Sequence, residues 1–441
     1  MPHEEFIFED YRYDEGAATL CLRYRFRDGP RFEERITFDF PARALPPRDR
    51  EILDRLFRLI LLFAGVSYYK AFIPRTLHCE AFALDSDTAA FLHEFYEQGL
   101  GEFAFKNGIS LSGHFTIRTA PGPAPAAVET VLPRRTCVPV GGGKDSIVTL
   151  ECLRQADEPL VLFALGEAEP IRATISVARL PFIRVTRRLD PLLFALNKAG
   201  ARNGHVPITG ILSVIALAAA VLHGCDTVAM SNEHSANIPN LVADGVAINH
   251  QYSKSLAFET DLAEYLARHV SPNLAYFSFL RPLSEIEIAR RFSRYPAYFG
   301  AFRSCNTAFR QETAARGRQW CGNCPKCRFV FLALAPFVAK AELVAIFSAN
   351  LLDDARQVSG FAELCGFSRH KPFECVGDVA ESAAAMAHLA NHPLWRGDAV
   401  VKKLAFPALR QGDGAVWERL FAERHPHRLP GRYLAMLDAC G

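Results

Sequence analysis

The chain has 441 residues, half of them hydrophobic and 22% charged, which suits two or three domains of a folded chain rather than a disordered one. Lys+Arg 50 against Asp+Glu 48 leaves a formal charge of +2, so no global basic field exists to gather nucleic acid or coat a membrane. Any anion site has to be local. The opening MPHEEFIFEDYRYDEG is acidic and lacks the basic start and apolar stretch of a signal peptide. The longest apolar run, Ile211–Leu222 with Ser213 inside it, falls short of the roughly 20 residues that span a bilayer. Neither secretion nor membrane insertion is expected, and a cytoplasmic location is.

The first third reads as an α+β domain over residues 1–118. Leu20–Phe26 alternates apolar residues with Cys21, Arg23 and Arg25, Asp28-Gly29-Pro30 supplies a turn, and Phe32–Phe40 alternates again. That is a β-hairpin. Helical periodicity follows over Ile52–Ala64 and Thr88–Tyr96. Between them SYYKAFIP (Ser67–Pro74) is read as an element packing on the core rather than as a substrate contact. Residues 119–135, rich in Pro and Ala, form the expected linker.

Residues 136–335 change character. Cys137–Val140, Pro159–Gly166, Phe182–Asp190 and Asp226–Ser231 are strand-like, with helical stretches at Ile147–Gln155 and Ile211–His223 between them. Strand alternating with helix predicts an α/β domain, a parallel sheet with helices on both faces, whose ligands bind beyond the carboxyl ends of the strands. Residues 336–441 read as a helical C-terminal domain.

VGGGKDS (Val140–Ser146) directly follows the first of these strands and opens a helix. Its glycines let backbone approach an anion at a helix N-terminus. Walker A fails, because Val138 stands where its first Gly belongs and Asp145 follows Lys144. The pyrophosphate loop Ser-Gly-Gly-x-Asp-Ser fits better, with Gly141 in place of its Ser. On that reading Gly141, Gly142, Gly143 and Ser146 cradle ATP phosphates, Asp145 holds Mg²⁺, and Lys144 neutralises the leaving pyrophosphate.

Of the twelve cysteines, Cys305, Cys321, Cys324 and Cys327 read C-x15-C-x2-C-x2-C, a set for structural zinc, with an iron–sulfur cluster as the alternative. The other eight are scattered, and most of them are expected to be buried small hydrophobes with reduced thiols.

From Arg135 to about Phe331, the order of motifs is similar to 7-cyano-7-deazaguanine synthase, which activates a carboxylate with ATP and carries a four-cysteine zinc site. Gly141, and Glu285 where that family usually has Lys, depart from it. A fuller resemblance runs through SYYKAFIP, GGGKDS, SNEHSA (Ser231–Ala236), NHQYSKS (Asn249–Ser255), CGNCPKC and HKPFECVG (His370–Gly377). Along nearly its whole length the chain resembles the MurL family of UDP-N-acetyl-muramoyl-L-alanyl-L-glutamate epimerases. That resemblance implies an ATP- and Mg²⁺-dependent inversion of the terminal glutamate of a UDP-muramoyl dipeptide in peptidoglycan precursor synthesis, with no nucleic acid and no membrane as partner.

An epimerase has reason to consume ATP. Removing a Cα proton beside a free carboxylate makes a dianion, whereas an acyl-adenylate removes that charge and acidifies the proton. The acid and base must then lie on opposite faces of one carbon. Glu233 and His234, expected at the end of the Asp226–Ser231 strand, are the candidates for proton transfer or metal binding. Tyr252 and Lys254 either meet substrate or lie on a solvated helix face, and His205 contacts nucleotide or caps a helix. Two other readings stand beside the epimerase: another carboxylate-activating enzyme of deazapurine-synthase or RNA-modifying type, and a non-catalytic ATP-binding zinc module.

Overall fold

The computed structural model describes residues 3–40, 45–120, 124–243, 245–305, 320–368, 372–412 and 414–441. Its strands are β1 (Glu5–Asp14), β2 (Thr19–Phe26), β3 (Arg31–Phe38), β4 (Thr76–Cys79), β5 (Thr116–Ile117), β6 (Thr136–Pro139), β7 (Leu160–Leu165), β8 (Phe182–Arg188), β9 (Thr227–Met230), β10 (Leu241–Ala243), β11 (Val246–Ile248) and β12 (Ala275–Ser278). All but β10 and β11, which pair with each other, form one mostly parallel ten-stranded sheet in the order β12-β9-β6-β7-β8-β3-β2-β1-β4-β5.

The hairpin β2–β3 forms because Leu20, Leu22, Tyr24 and Phe26 alternate inward, and Asp28 takes φ +53° in the turn. Its outer neighbour β1 lies in the acidic opening segment, where charged residues mask the Phe6-Ile7-Phe8 run that is fully buried. The Tyr68 and Tyr69 rings of SYYKAFIP are buried in the core, and Lys70 reaches Gly204 O at 3.3 Å and the Asn203 side chain.

No sheet boundary separates the first third from the parallel half of the sheet. Strand β3 pairs antiparallel with β8, from Arg35 opposite Arg188 to Phe38 opposite Val185, so the two halves share one sheet across the segment expected as a linker. A buried ion pair reinforces the join: Arg187 Nε donates to Glu34 Oε1 at 2.6 Å, and Arg187 Nη2 reaches Glu34 Oε2 at 3.1 Å and Ser67 Oγ at 3.0 Å. Glu34 is wholly buried.

Alternate residues of the parallel strands feed two cores. Cys137, Phe163, Val228 and Tyr276 face the one containing helices Pro47–Ala64 and Ile208–Leu222; Val138, Leu162, Ala229 and Phe277 face the one built with helix Lys144–Gln155 and the C-terminal helices. Helices therefore cover both faces. Beyond Cys327 the described elements are all helical. No helix is long and apolar enough to cross a membrane among the described residues.

The C-terminal helix Gly431–Ala439 returns to the sheet, where Tyr433 OH lies 2.6 Å from Thr136 Oγ1. There the expectation of reduced thiols is corrected, because Cys152 and Cys440 are joined by a disulfide across 288 residues of sequence. Their distance along the chain hid a proximity that the fold creates.

Glu34→Ala should destabilise the protein by about 3–5 kcal/mol, since it strands the Arg187 guanidinium in the core. Urea unfolding at neutral pH measures this, and pairing Glu34→Leu with Arg187→Met should recover much of the loss.

Candidate functional site

A cleft of about 360 Å³ opens at the carboxyl ends of β6, β7 and β9, where Pro139, Leu165 and Met230 line it. The glycine loop forms one wall. Helix Lys144–Gln155 begins directly after Gly143, so its first backbone N–H groups face the loop side. Gly142 sits at φ +83°, and a Cβ there would meet Pro170 backbone at 2.8 Å; its carbonyl accepts from Arg303 N at 2.7 Å. Gly141 has open space around it, and Ser146 Oγ closes back onto Gly143 O at 3.2 Å.

Lys144 is buried beneath this loop and donates to both Asp145 and Glu285. Burial works against its ammonium, but Asp145 and Glu285 outweigh that and hold it protonated. Burial, with Asp145 and Glu233 nearby, drives Glu285 upward against the pull of Lys144. Asp145 remains partly open to the cleft. Glu285 comes from helix Glu285–Phe292, capped by Ser284, whose Oγ accepts from Glu287 N at 3.0 Å.

The opposite wall is set by Arg281, fully buried and paired with Glu259 at 2.9 Å. Its Nη1 donates to Glu233 O at 2.7 Å and its Nη2 to Lys254 O, so one guanidinium positions both residues. Glu233 and Lys254 both line the cleft. Burial opposes the Lys254 ammonium, yet Cys375, Glu233, Asp145 and Glu285 raise it above the ordinary lysine value.

The other sequence candidates lie elsewhere. His234 is not on the cleft wall; its ring stacks on His425 at 3.5 Å, and burial, then His425 and Arg281, lower it to about 4. Tyr252 packs against Phe258, also off the cleft wall. His205 stands beside Glu102 and His250, its Nδ1 3.6 Å from Glu102 Oε2. His370 and Lys371 of HKPFECVG, and Asn306 after Cys305, lie outside the described residues.

Cys305, Cys321, Cys324 and Cys327 converge beside the cleft, whose wall includes Lys326 between two of them. Sulfur separations of 3.9 Å (Cys305–Cys324), 3.6 Å (Cys321–Cys327) and 3.5 Å (Cys324–Cys327) fit four thiolates around one ion. A tetrahedron of Zn–S bonds of about 2.3 Å has edges of roughly 3.8 Å.

Sequence reasoning passed over Arg281, Glu102, His250 and Cys375. Cys375 and His250 sit inside the motifs HKPFECVG and NHQYSKS, so the signal was present, but the 124 residues between them hid that they come together. Arg281 gave none, because one buried arginine has no sequence signature.

Gly142→Ala should cost more than about 1 kcal/mol, from both the left-handed backbone and the Pro170 contact. Gly141→Ser should leave stability within about 0.5 kcal/mol, since nothing opposes the side chain. Thermal and urea unfolding of the two variants distinguish them.

The comparisons agree with one another. The profile of the MurL N-terminal domain matches residues 2–279 and that of the MurL C-terminal domain residues 301–415. A protein of Xanthomonas oryzae pv. oryzae is 43% identical over 94% of this chain and 92% of its own length. Relatives from a Micromonospora species (42%, covering 99% of this chain and 100% of their own) and from Salinispora tropica (40%, 100% and 98%) are similar throughout. All three carry the name UDP-N-acetyl-alpha-D-muramoyl-L-alanyl-L-glutamate epimerase. With both domains matched in order around this cleft, the chain belongs to the MurL family.

Proposed function

We propose that the protein is an ATP- and Mg²⁺-dependent epimerase that converts UDP-MurNAc-L-Ala-L-Glu to UDP-MurNAc-L-Ala-D-Glu, releasing AMP and pyrophosphate, in cytoplasmic peptidoglycan precursor synthesis. The observation that carries the reading is a glycine loop at the strand ends of a parallel sheet, sharing one cleft with the buried Lys144 and Glu233 and the partly exposed Asp145 and Lys254. The names of the three relatives supply the substrate.

The glutamate α-carboxylate attacks the α-phosphorus of ATP, forming the acyl-adenylate as the bond to pyrophosphate breaks. Backbone N–H groups at the start of helix Lys144–Gln155 and the Lys144 ammonium stabilise charge building on the departing phosphates. Asp145 would hold Mg²⁺, which draws charge from the phosphates when bound. Lys254, held by Arg281 through its carbonyl, offers a cation to the anionic substrate. With the carboxylate esterified, a base removes the Cα proton, an acid on the other face returns one, and water releases AMP. The four cysteines would hold Zn²⁺ as a structural ion, tying the segment around Arg303 and Ser304 to helix Pro325–Leu334.

The deciding experiment incubates the protein with ATP, Mg²⁺ and UDP-MurNAc-L-Ala-L-Glu and scores AMP and glutamate chirality together. Inversion with stoichiometric AMP is expected. AMP released together with a new amide or nitrile product would favour another carboxylate-activating enzyme, and ATP binding without turnover a sensor module.

Asp145→Asn should lower AMP formation by at least about 10²-fold and also lower the melting temperature, because it removes one of the two carboxylates that balance the buried Lys144, with Glu285 left to hold the fold. Steady-state turnover and a melting curve check both halves. Purified protein should contain close to one zinc per chain, and Cys324→Ser should lower both metal content and melting temperature. Elemental analysis measures this, and iron with visible absorbance would replace zinc by a cluster.

A further inference from the structure

Building on the epimerase reading, we propose that the Cys375 thiolate is the base that removes the Cα proton, with His250 and Glu102 as the residues that position and activate it. The sulfur belongs to a side chain that lines the same cleft as Lys144, Asp145, Glu233 and Lys254. His250 faces the Cys375 side chain, and its Nδ1 is bonded to Glu102 Oε2. Glu102 is itself buried and paired with Lys106. A thiol, an imidazole and a carboxylate in series are the arrangement in which a third group fixes the ring that activates a nucleophile or base.

The segment carrying Cys375 is fixed in place, not draped over the cleft. Asn240, buried, donates from Nδ2 to Pro372 O at 2.8 Å and accepts at Oδ1 from His250 N at 2.9 Å, so one amide side chain ties the cysteine segment to the histidine backbone. Phe373 packs on Phe105 beside Glu102, with the Lys106 ammonium 5.2 Å from its ring centre. Val376 is buried, and a Cβ on Gly377 would lie 2.4 Å from Phe329, so the backbone there cannot shift without moving the core.

The charges facing the sulfur favour its anion. Burial alone would raise the thiol, but Lys254, His250 and Lys326 outweigh it and bring Cys375 down to about 6. Burial likewise opposes the His250 cation, yet Cys375 and Glu102 lift it to about 9. Among the described cysteines outside the metal cluster, Cys79, Cys137, Cys225 and Cys365 are instead pushed upward by burial.

In the step itself, the thiolate lone pair takes the Cα proton, and the C–H electron pair moves into the Cα–carbonyl bond while the acyl oxygen takes the negative charge. A second group on the far face returns a proton to Cα as the carbonyl re-forms. The thiol then loses its proton to solvent, so no electrons are gained or lost.

The test uses the full chain in D₂O with ATP, Mg²⁺ and UDP-MurNAc-L-Ala-L-Glu, reading pyrophosphate, Cα deuterium and chirality in single turnovers. Cys375→Ser should release pyrophosphate within about tenfold of wild type while Cα exchange and inversion fall by about 10²-fold or more. His250→Gln should slow exchange and also slow iodoacetamide labelling of Cys375, mapped by mass spectrometry at pH 7, by about tenfold; a merely structural histidine would not slow the labelling. Wild-type exchange in Cys375→Ser, exchange without inversion, or loss of pyrophosphate release along with exchange would each overturn the assignment. So would loss in His250→Gln of a metal equivalent beyond that held by the four cysteines. A wild-type protein that neither releases AMP nor inverts glutamate would instead overturn the epimerase reading on which the proposal rests.

Discussion

Cations can be gathered inside a protein only where nearby carboxylates offset the cost of burying them. That constraint organises the cleft. Lys144 is buried under a helix start, where a lone ammonium would be expelled, and Asp145 and Glu285 keep it charged. Glu285 explains its own departure from the deazapurine-synthase pattern: a lysine there would set two buried ammonium groups against each other, whereas a carboxylate neutralises one. Arg303 follows the same rule at the rim, bonded through its amide to Gly142 and through its side chain to Glu169 at 2.7 Å.

The second wall depends on Arg281. It is a buried charge balanced by Glu259, but its donors also reach the carbonyls of Glu233 and Lys254, which belong to different segments. A planar five-donor group can hold three acceptors at once, and a lysine cannot reproduce that fork. The spacing between an acidic and a basic side chain on the cleft wall is thus set by a residue that does not line the cleft.

The continuous sheet brings distant segments to this place. Because β3 pairs with β8, the first third of the chain is held against the half that carries the glycine loop, and its helix Gly101–Lys106 delivers Glu102 to His250. The C-terminal region meets the same cluster from the other side through Pro372–Gly377. Three regions far apart in sequence therefore meet at one edge of the cleft.

The sequence by itself determined whatever is local. The hairpin, the strand-loop-helix at Val140–Ser146, the buried helix Ile208–Leu222 and the convergence of the three clustered cysteines follow from periodicity, glycine and spacing within a few residues. The strand β1 was obscured because acidic residues dilute its apolar pattern, although its Phe6–Phe8 run is buried. Tertiary structure alone decided which distant side chains meet. It turned His234 onto His425 and Glu233 toward the cleft, although the two are adjacent, because a turn after β9 sends neighbouring side chains in different directions. It also made the pairs Arg187–Glu34, Cys152–Cys440 and His250–Glu102, each joining residues more than a hundred positions apart. Such contacts depend on sheet order and helix packing, which no short-range pattern encodes.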